Sequence, residues 1–302
     1  MKFVTVKHMD EVLVGLVNPD ETRVLLLNRA EEIRSGNRIF PKSLTECISL
    51  GDEFISKVND LLIWAESQGQ TEELYISLEE VNLLAPIPRP QKNIFCVGKN
   101  YTEHAIEMGS ADDIPEHIMV FTKAPTTVIG PDEPVLSHRD VTDQLDYEGE
   151  LAVIIGKKGR AIKQEEALDY VFGYSIINDV TARDLQSRHK QFFIGKSLDT
   201  TCPFGPWIVH KSVIPNPNAL DIETRINGEV RQSSSTKNLI FSIEEIISVL
   251  SRGMTLEPGD IIATGTPAGV GKGYKPPKFL KPGDEMEIRI EKIGTLENLV
   301  EK

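Results

Sequence analysis

Glu148 and Glu150 stand two positions apart at the head of an apolar, largely β-branched run, Leu151-Ala152-Val153-Ile154-Ile155, which Gly156 stops. Side chains along a strand alternate, so both carboxylates project to one side. Carboxylates so placed repel each other unless a positive charge lies between them. A hard divalent cation with oxygen ligands is the natural candidate, and Mg²⁺ takes few carboxylates while keeping several waters. Gly149, between them, leaves room for a close backbone approach. A solvated acidic strand end is the alternative, and this stretch alone does not choose. A second run, Val171-Phe172-Gly173-Tyr174-Ser175-Ile176-Ile177, ends on Asn178-Asp179. Asp179 is placed to be a third ligand or, sharing the work with Asn178, the N-cap of a helix starting near Thr181.

A second constellation lies in Lys99-Asn100-Tyr101-Thr102-Glu103-His104-Ala105-Ile106-Glu107. If this piece is helical, His104 and Glu107 share a face at i and i+3. A carboxylate beside an imidazole fixes its tautomer, as a general base requires; an ordinary surface pair is the alternative. Gly109-Ser110-Ala111-Asp112-Asp113 reads as a flexible exit, so the segment suits a lid. Lys123, ending the run Val120-Phe121-Thr122, is a substrate-facing cation or a solvated lysine. Gly195-Lys196-Ser197 opens a hydroxyl-rich loop of the kind that builds sites on rigid scaffolds. Gly265-Thr266-Pro267-Ala268-Gly269-Val270-Gly271 is able to present backbone N–H groups and the Thr266 hydroxyl to an anion.

The elements that must position these groups follow from periodicity. Strands are expected around Phe3–Val6, 11–17 and 24–27, then a helix capped by Ser43 with Glu46 at the capping-box position. A longer helix carries Phe54, Val58, Leu61, Leu62 and Trp64 at helical spacing. Pro86-Ile87-Pro88-Arg89-Pro90 holds the chain extended and marks a boundary. We therefore expect an N-terminal α+β domain over 1–88 and a catalytic domain over 89–302. Within the second, Asn227-Gly228 signals a type I′ hairpin, and Phe241 to Leu250 an amphipathic helix capped by Ser242.

The chain has 302 residues, with 33 basic and 46 acidic side chains and a net charge of −13. That balance argues against general affinity for nucleic acid or anionic membrane. Cys47, Cys96 and Cys202 are odd in number and form no CxxC pair, so neither a disulfide framework nor a zinc site is expected. With no signal-peptide core and no stretch long enough to span a bilayer, a cytoplasmic protein is expected.

Taken together, five motifs in order resemble the fumarylacetoacetate hydrolase superfamily over essentially all of residues 90–302. They are Val97-Gly98-Lys99-Asn100-Tyr101 with His104 and Glu107, Asp146 to Glu150, Asn178 to Gln186, Gly195-Lys196-Ser197 through Gly205-Pro206, and Thr264 to Gly271. Prokaryotic members with an N-terminal domain, several resembling oxaloacetate decarboxylases, look closest. The resemblance implies an α+β fold: a mixed β-roll or β-sandwich catalytic domain, fumarylacetoacetase C-terminal-like, beside the smaller N-terminal α+β domain. It also implies a Mg²⁺ (or Mn²⁺) site and a homodimer. Its metal ligands match Glu148, Glu150 and Asp179, and its lid-borne acid/base pair matches His104 and Glu107. Lys196 would be a third catalytic group. Substrate-contacting positions match Lys99, Tyr101, Lys123, Arg183, Gln186 and Thr266. Lysine at 99, where arginine is frequent, keeps the charge but not a bidentate contact.

The implied chemistry is metal-assisted cleavage beside a 2-oxo acid. The first expectation is decarboxylation of oxaloacetate to pyruvate through a metal-stabilised enolate. Hydrolysis of acylpyruvates or fumarylacetoacetate-like β-diketones, and isomerisation of a 2-oxo/2-hydroxy dienoate, pass through the same enolate. A different class is also open: a scaffold or binding protein that recruits a partner through residues 1–88.

Overall fold

The computed structural model describes residues 1–68 and 73–302. In chain order the strands begin with β1 (Lys2–His8), β2 (Glu11–Val17), β3 (Arg23–Leu26), β4 (Tyr75–Ser77), β5 (Asn82–Leu84) and β6 (Ile94–Gly98). Next come β7 (Met119–Lys123), β8 (Val128–Ile129), β9 (Leu145–Asp146), β10 (Gly149–Ile155), β11 (Val171–Asn178) and β12 (Thr181–Ala182). The last are β13 (Cys202–His210), β14 (Asp221–Ile226), β15 (Glu229–Ser235), β16 (Ile261–Ala263), β17 (Glu285–Ile290) and β18 (Gly294–Leu299). The helices are α1 (Leu27–Ser35), α2 (Leu44–Ser49), α3 (Asp52–Gln68), α4 (Thr102–Glu107), α5 (Arg183–His189), α6 (Phe193–Lys196) and α7 (Ile243–Ser251).

A 12-stranded mixed sheet runs β4-β3-β2-β1-β13-β11-β10-β16-β6-β7, with β5 on β1 and β8 on β13. Its central strands are buried on both faces, as their continuous apolar runs require. Along β10, Leu151, Val153 and Ile155 join one apolar cluster, which takes in Ile222, Ile288 and Leu296 of a four-stranded sheet ordered β15-β14-β17-β18. Ala152 and Ile154, on the opposite face, join a cluster completed by Phe54, Val58 and Leu61 of α3. The result is a mixed α+β fold with the acidic end of β10 at the mouth of a doubly covered sheet.

Several local expectations are realised. Ser43 and Glu46 form a reciprocal capping box, and Ser242 Oγ accepts the Glu245 N–H. Asn227 and Gly228 both take positive φ, at 50° and 78°, as a type I′ hairpin needs. The sheet is continuous across position 88, however. β1 pairs with β13 (Lys2 with Val209, Phe3 with Ile208), and Phe3 packs in one cluster with Phe172 and Ile208. The helix after Asp179 also starts later than its sequence suggests. Thr181 and Ala182 are drawn into a two-residue ladder with Asp146 and Leu145, so α5 begins at Arg183.

Candidate active site

Glu148, Glu150 and Asp179 are buried and offer ligand oxygens within 4.8 Å of one another. Antiparallel pairing of β10 with β11 brings them together: Asp179 N–H donates to Glu148 O at 2.9 Å, and Asn178 Oδ1 accepts the Glu148 N–H at 3.0 Å. Gly149 is required between the two glutamates, because a Cβ there would meet Thr224 Oγ1 of the four-stranded sheet at 2.3 Å. Lys196 Nζ bridges Glu148 Oε2 and Asp179 Oδ2 at 2.8 Å each and lies over the Phe121 ring. Arg183 Nη1 reaches Glu148 Oε1 at 2.7 Å.

Burial would raise the Glu148 carboxyl, but Lys196 and Arg183 outweigh it and hold it at about 2. Burial would likewise lower the Lys196 ammonium, and Asp179 with Glu148 keep it above the usual lysine range. Among the described residues Glu150 makes no ion pair. Its Oε2 accepts the Gly265 N–H at 2.7 Å, and burial beside Asp179 and Glu148 outweighs nearby Lys196 and pushes it well above the carboxylate range. A buried, all-oxygen cluster whose third member makes no ion pair fits a hard divalent cation.

Above the triad, α4 carries His104, which is buried with its Nδ1 at 3.3 Å from Glu107 Oε2. Asn100 anchors the start of this segment: its side chain donates to Thr264 O and Phe241 O and accepts the Phe241 N–H. Glu107 in turn accepts the Gly269 N–H. His104, Glu148, Glu150, Lys196, Arg183, Gln186 and Thr266 all line one cavity of about 180 Å³, walled on its apolar side by Val97, Met108, Phe121 and Phe192. Roomier surface depressions, such as the one lined by Glu223, Ser234 and Arg289, hold no comparable constellation.

Residues 93–301 match the fumarylacetoacetate (FAA) hydrolase C-terminal family. The chain belongs to that family. It is 58% identical over 301 residues to the oxaloacetate tautomerase YisK of Bacillus subtilis, a match covering 99% of this chain and 100% of that protein. Among solved structures it resembles the fumarylacetoacetate hydrolase of psychrophilic Exiguobacterium antarcticum, with a TM-score of 0.82, 44% identity and coverage of 100% and 99%. It also resembles 2-hydroxyhepta-2,4-diene-1,7-dioate isomerase from Mycobacterium marinum, with a TM-score of 0.73, 30% identity and coverage of 100% and 98%. The chain is thus an FAA hydrolase-family enzyme.

Of the expected substrate contacts, Lys123 and Tyr101 lie off the cavity wall, and Thr266 lies on it with its hydroxyl already engaged. Lys123 is fully buried and turned from the cavity. Its Nζ contacts Asp179 Oδ1 at 2.8 Å and donates to Val180 O, so it holds a triad member rather than a substrate. Tyr101 is buried at the N-cap of α4 and does not line the cavity. Thr266 does line it, but its hydroxyl donates to Gly149 O and accepts from Gln232 Nε2, leaving no donor for a carboxylate. The glycine loop behaves alike. Its N–H groups bind the protein's own anions: Gly265 to Glu150, Gly269 to Glu107, and Gly271 with Lys272 to Asp146. Lys99 reaches the cavity wall while paired to Asp113 at 2.9 Å.

Sequence reasoning missed Asp146, Asn100 and Lys272. Asp146 is wholly buried and also takes Arg183 Nε at 2.8 Å. An aspartate leading into Glu148, five residues from a buried run, was the available signal. Lys272, on the cavity wall, is one of many lysines and had none.

Proposed function

We propose that this enzyme acts on oxaloacetate and interconverts its enol and keto forms, with Mg²⁺ or Mn²⁺ bound by Glu148, Glu150 and Asp179. The observation carrying the reading is that Glu148 and Glu150 of the buried triad line one small cavity together with His104, which Glu107 backs. The full-length similarity to an oxaloacetate tautomerase supports the substrate. The cavity, below the ~300–1,000 Å³ usual for drug-sized ligands, suits a four-carbon acid.

A cation held by Glu148, Glu150 and Asp179 would supply Lewis acidity towards a 2-oxo acid and offset enolate charge. His104 moves the proton. With Nδ1–H donating to Glu107, Nε2 is left as the basic nitrogen to take a proton from C3 and return it to the oxygen, or the reverse. Lys196 holds its charge beside the reacting end. The apolar wall of Val97, Phe121 and Phe192 excludes water. Lys123 and Asn100 position Asp179 and the His104 segment, respectively.

Decarboxylation of oxaloacetate is the second reading. It breaks C3–C4 instead of C3–H, releasing CO₂ and leaving the three-carbon enolate of pyruvate, which is then protonated at C3. The apolar wall favours this course by stripping water from a departing carboxylate. Following enol absorbance and pyruvate together separates the two. The tautomerase reading expects Mg²⁺-dependent, EDTA-sensitive loss of enol with little pyruvate. Pyruvate appearing as fast as oxaloacetate disappears would assign the decarboxylase, and no metal-dependent change in either signal would remove both. In this reading catalysis resides in residues 89–302, residues 1–88 flank it and carry none of the triad, and the working form is a homodimer. The buried free cysteines suit a cytoplasmic setting.

A further inference from the structure

The cations on the cavity wall are Lys99, Arg183, Lys196 and Lys272. Lys99 is committed to Asp113, Lys196 to Glu148 and Asp179, and Arg183 to Asp146 and Glu148. Lys272 makes no salt bridge among the described residues. A 2-oxo dicarboxylate chelating at the triad must place its second carboxylate elsewhere, and the remaining wall is largely apolar. We propose that Lys272 is a specificity-determining residue that receives the distal carboxylate of a 2-oxo dicarboxylate. The inference rests on the oxaloacetate reading above and goes beyond it in naming the group that recognises the acid's far end.

Two further observations support the assignment. Arg183 Nη2 is buried with no hydrogen-bond partner among the described residues, so a second donor stands unused on a residue of the same wall. Asp146 fixes both donors in one frame, accepting Lys272 N–H at 3.0 Å, Gly271 N–H at 2.6 Å and Arg183 Nε at 2.8 Å. Partial burial and the like charge of Arg183 lower the Lys272 ammonium from its usual range, a repulsion that an anion between them relieves. A charge-assisted contact of this kind discriminates between ligands with and without the anionic group.

The test compares wild type, Lys272→Met and Lys272→Arg. Both substitutions keep the backbone N–H that Asp146 accepts. Calorimetry on Mg²⁺-loaded protein uses malate, an unreactive dicarboxylate, and lactate, its counterpart without the distal carboxylate. We expect wild type to prefer malate by about tenfold or more, Lys272→Met to lose that preference, and Lys272→Arg to keep most of it. With oxaloacetate, Lys272→Met should raise KM by a similar factor and leave kcat within about threefold. An unchanged malate preference in Lys272→Met, or an equal loss of malate and lactate binding, overturns the proposal. If wild type shows no metal-dependent turnover of oxaloacetate while the Lys272-dependent preference persists, the proposed activity falls and the carboxylate site stands.

Discussion

Glu107 accepts the Gly269 N–H through both carboxylate oxygens, at 2.9 and 3.2 Å, while Oε2 also faces His104 Nδ1. One side chain therefore orients the imidazole and latches its helix to the loop across the cavity. Gly273 makes the seat: a Cβ there would fall 2.2 Å from Glu107 Oε1. Gly273→Ala is expected to displace this flexible carboxylate, lowering kcat by about tenfold or more with little change in melting temperature. His104→Ala should cost about 10²–10⁴ in kcat. Mg²⁺ affinity, measured by calorimetry, should be unchanged in both; its loss would mean that the latch supports the triad instead.

Glu150 makes no ion pair among the described residues, so its amide variant separates metal binding from folding. Glu150→Gln should abolish the Mg²⁺-induced rise in melting temperature. In EDTA it should melt close to wild type, because burial beside Asp179 and Glu148 already favours the neutral form of Glu150 that the amide mimics. A normal Mg²⁺ response in this variant would take Glu150 out of the ligand set.

Lys123 and Lys196 grip the two oxygens of buried Asp179, so removing Lys123 leaves Asp179 with Lys196 alone. Lys123→Met is expected to destabilise the metal-free protein by about 1–3 kcal/mol in urea unfolding, with part recovered on adding Mg²⁺. A loss below about 1 kcal/mol would show that Asp179 does not depend on it.

His210 governs part of the response to acid. Burial, the N-terminal ammonium and Lys211 push its imidazole down to about 4, and its Nδ1 faces Ser212 Oγ at 2.9 Å. A depressed folded value means that the unfolded chain binds the proton first. The stability His210 contributes is therefore present above about 6.5 and is lost as pH falls towards 4. Melting curves from pH 7 to 5 should fall more steeply for wild type than for His210→Gln; parallel curves would exclude the histidine.

The nearness of the three carboxylates was legible in part, since alternation set Glu148 and Glu150 on one side and Asp179 ended another apolar run. These signals did not choose between a cation and a solvated acidic end; the family resemblance did. The His104–Glu107 pairing was likewise a matter of helical spacing. Long-range partners were not legible. Val120-Phe121-Thr122-Lys123 reads as a strand whose closing lysine faces substrate or solvent, and only the fold reveals Asp179 and Val180 against Lys123. Thr266 and its glycines read as an anion cradle, correctly in chemistry but not in occupant, since Glu150, Glu107 and Asp146 fill it from distant positions. The union of β1 with β13 joins residues some two hundred positions apart, which no local pattern encodes.

The placement of Glu150 within β10, covered on both faces and hydrogen-bonded along both edges, bears on how the site breathes. Amides of such a strand exchange with solvent only when the whole domain opens, so their deuterium uptake should track global unfolding. A cation held by Glu148 and Glu150 would therefore be coupled to the stability of the entire sheet rather than to the fraying of one edge.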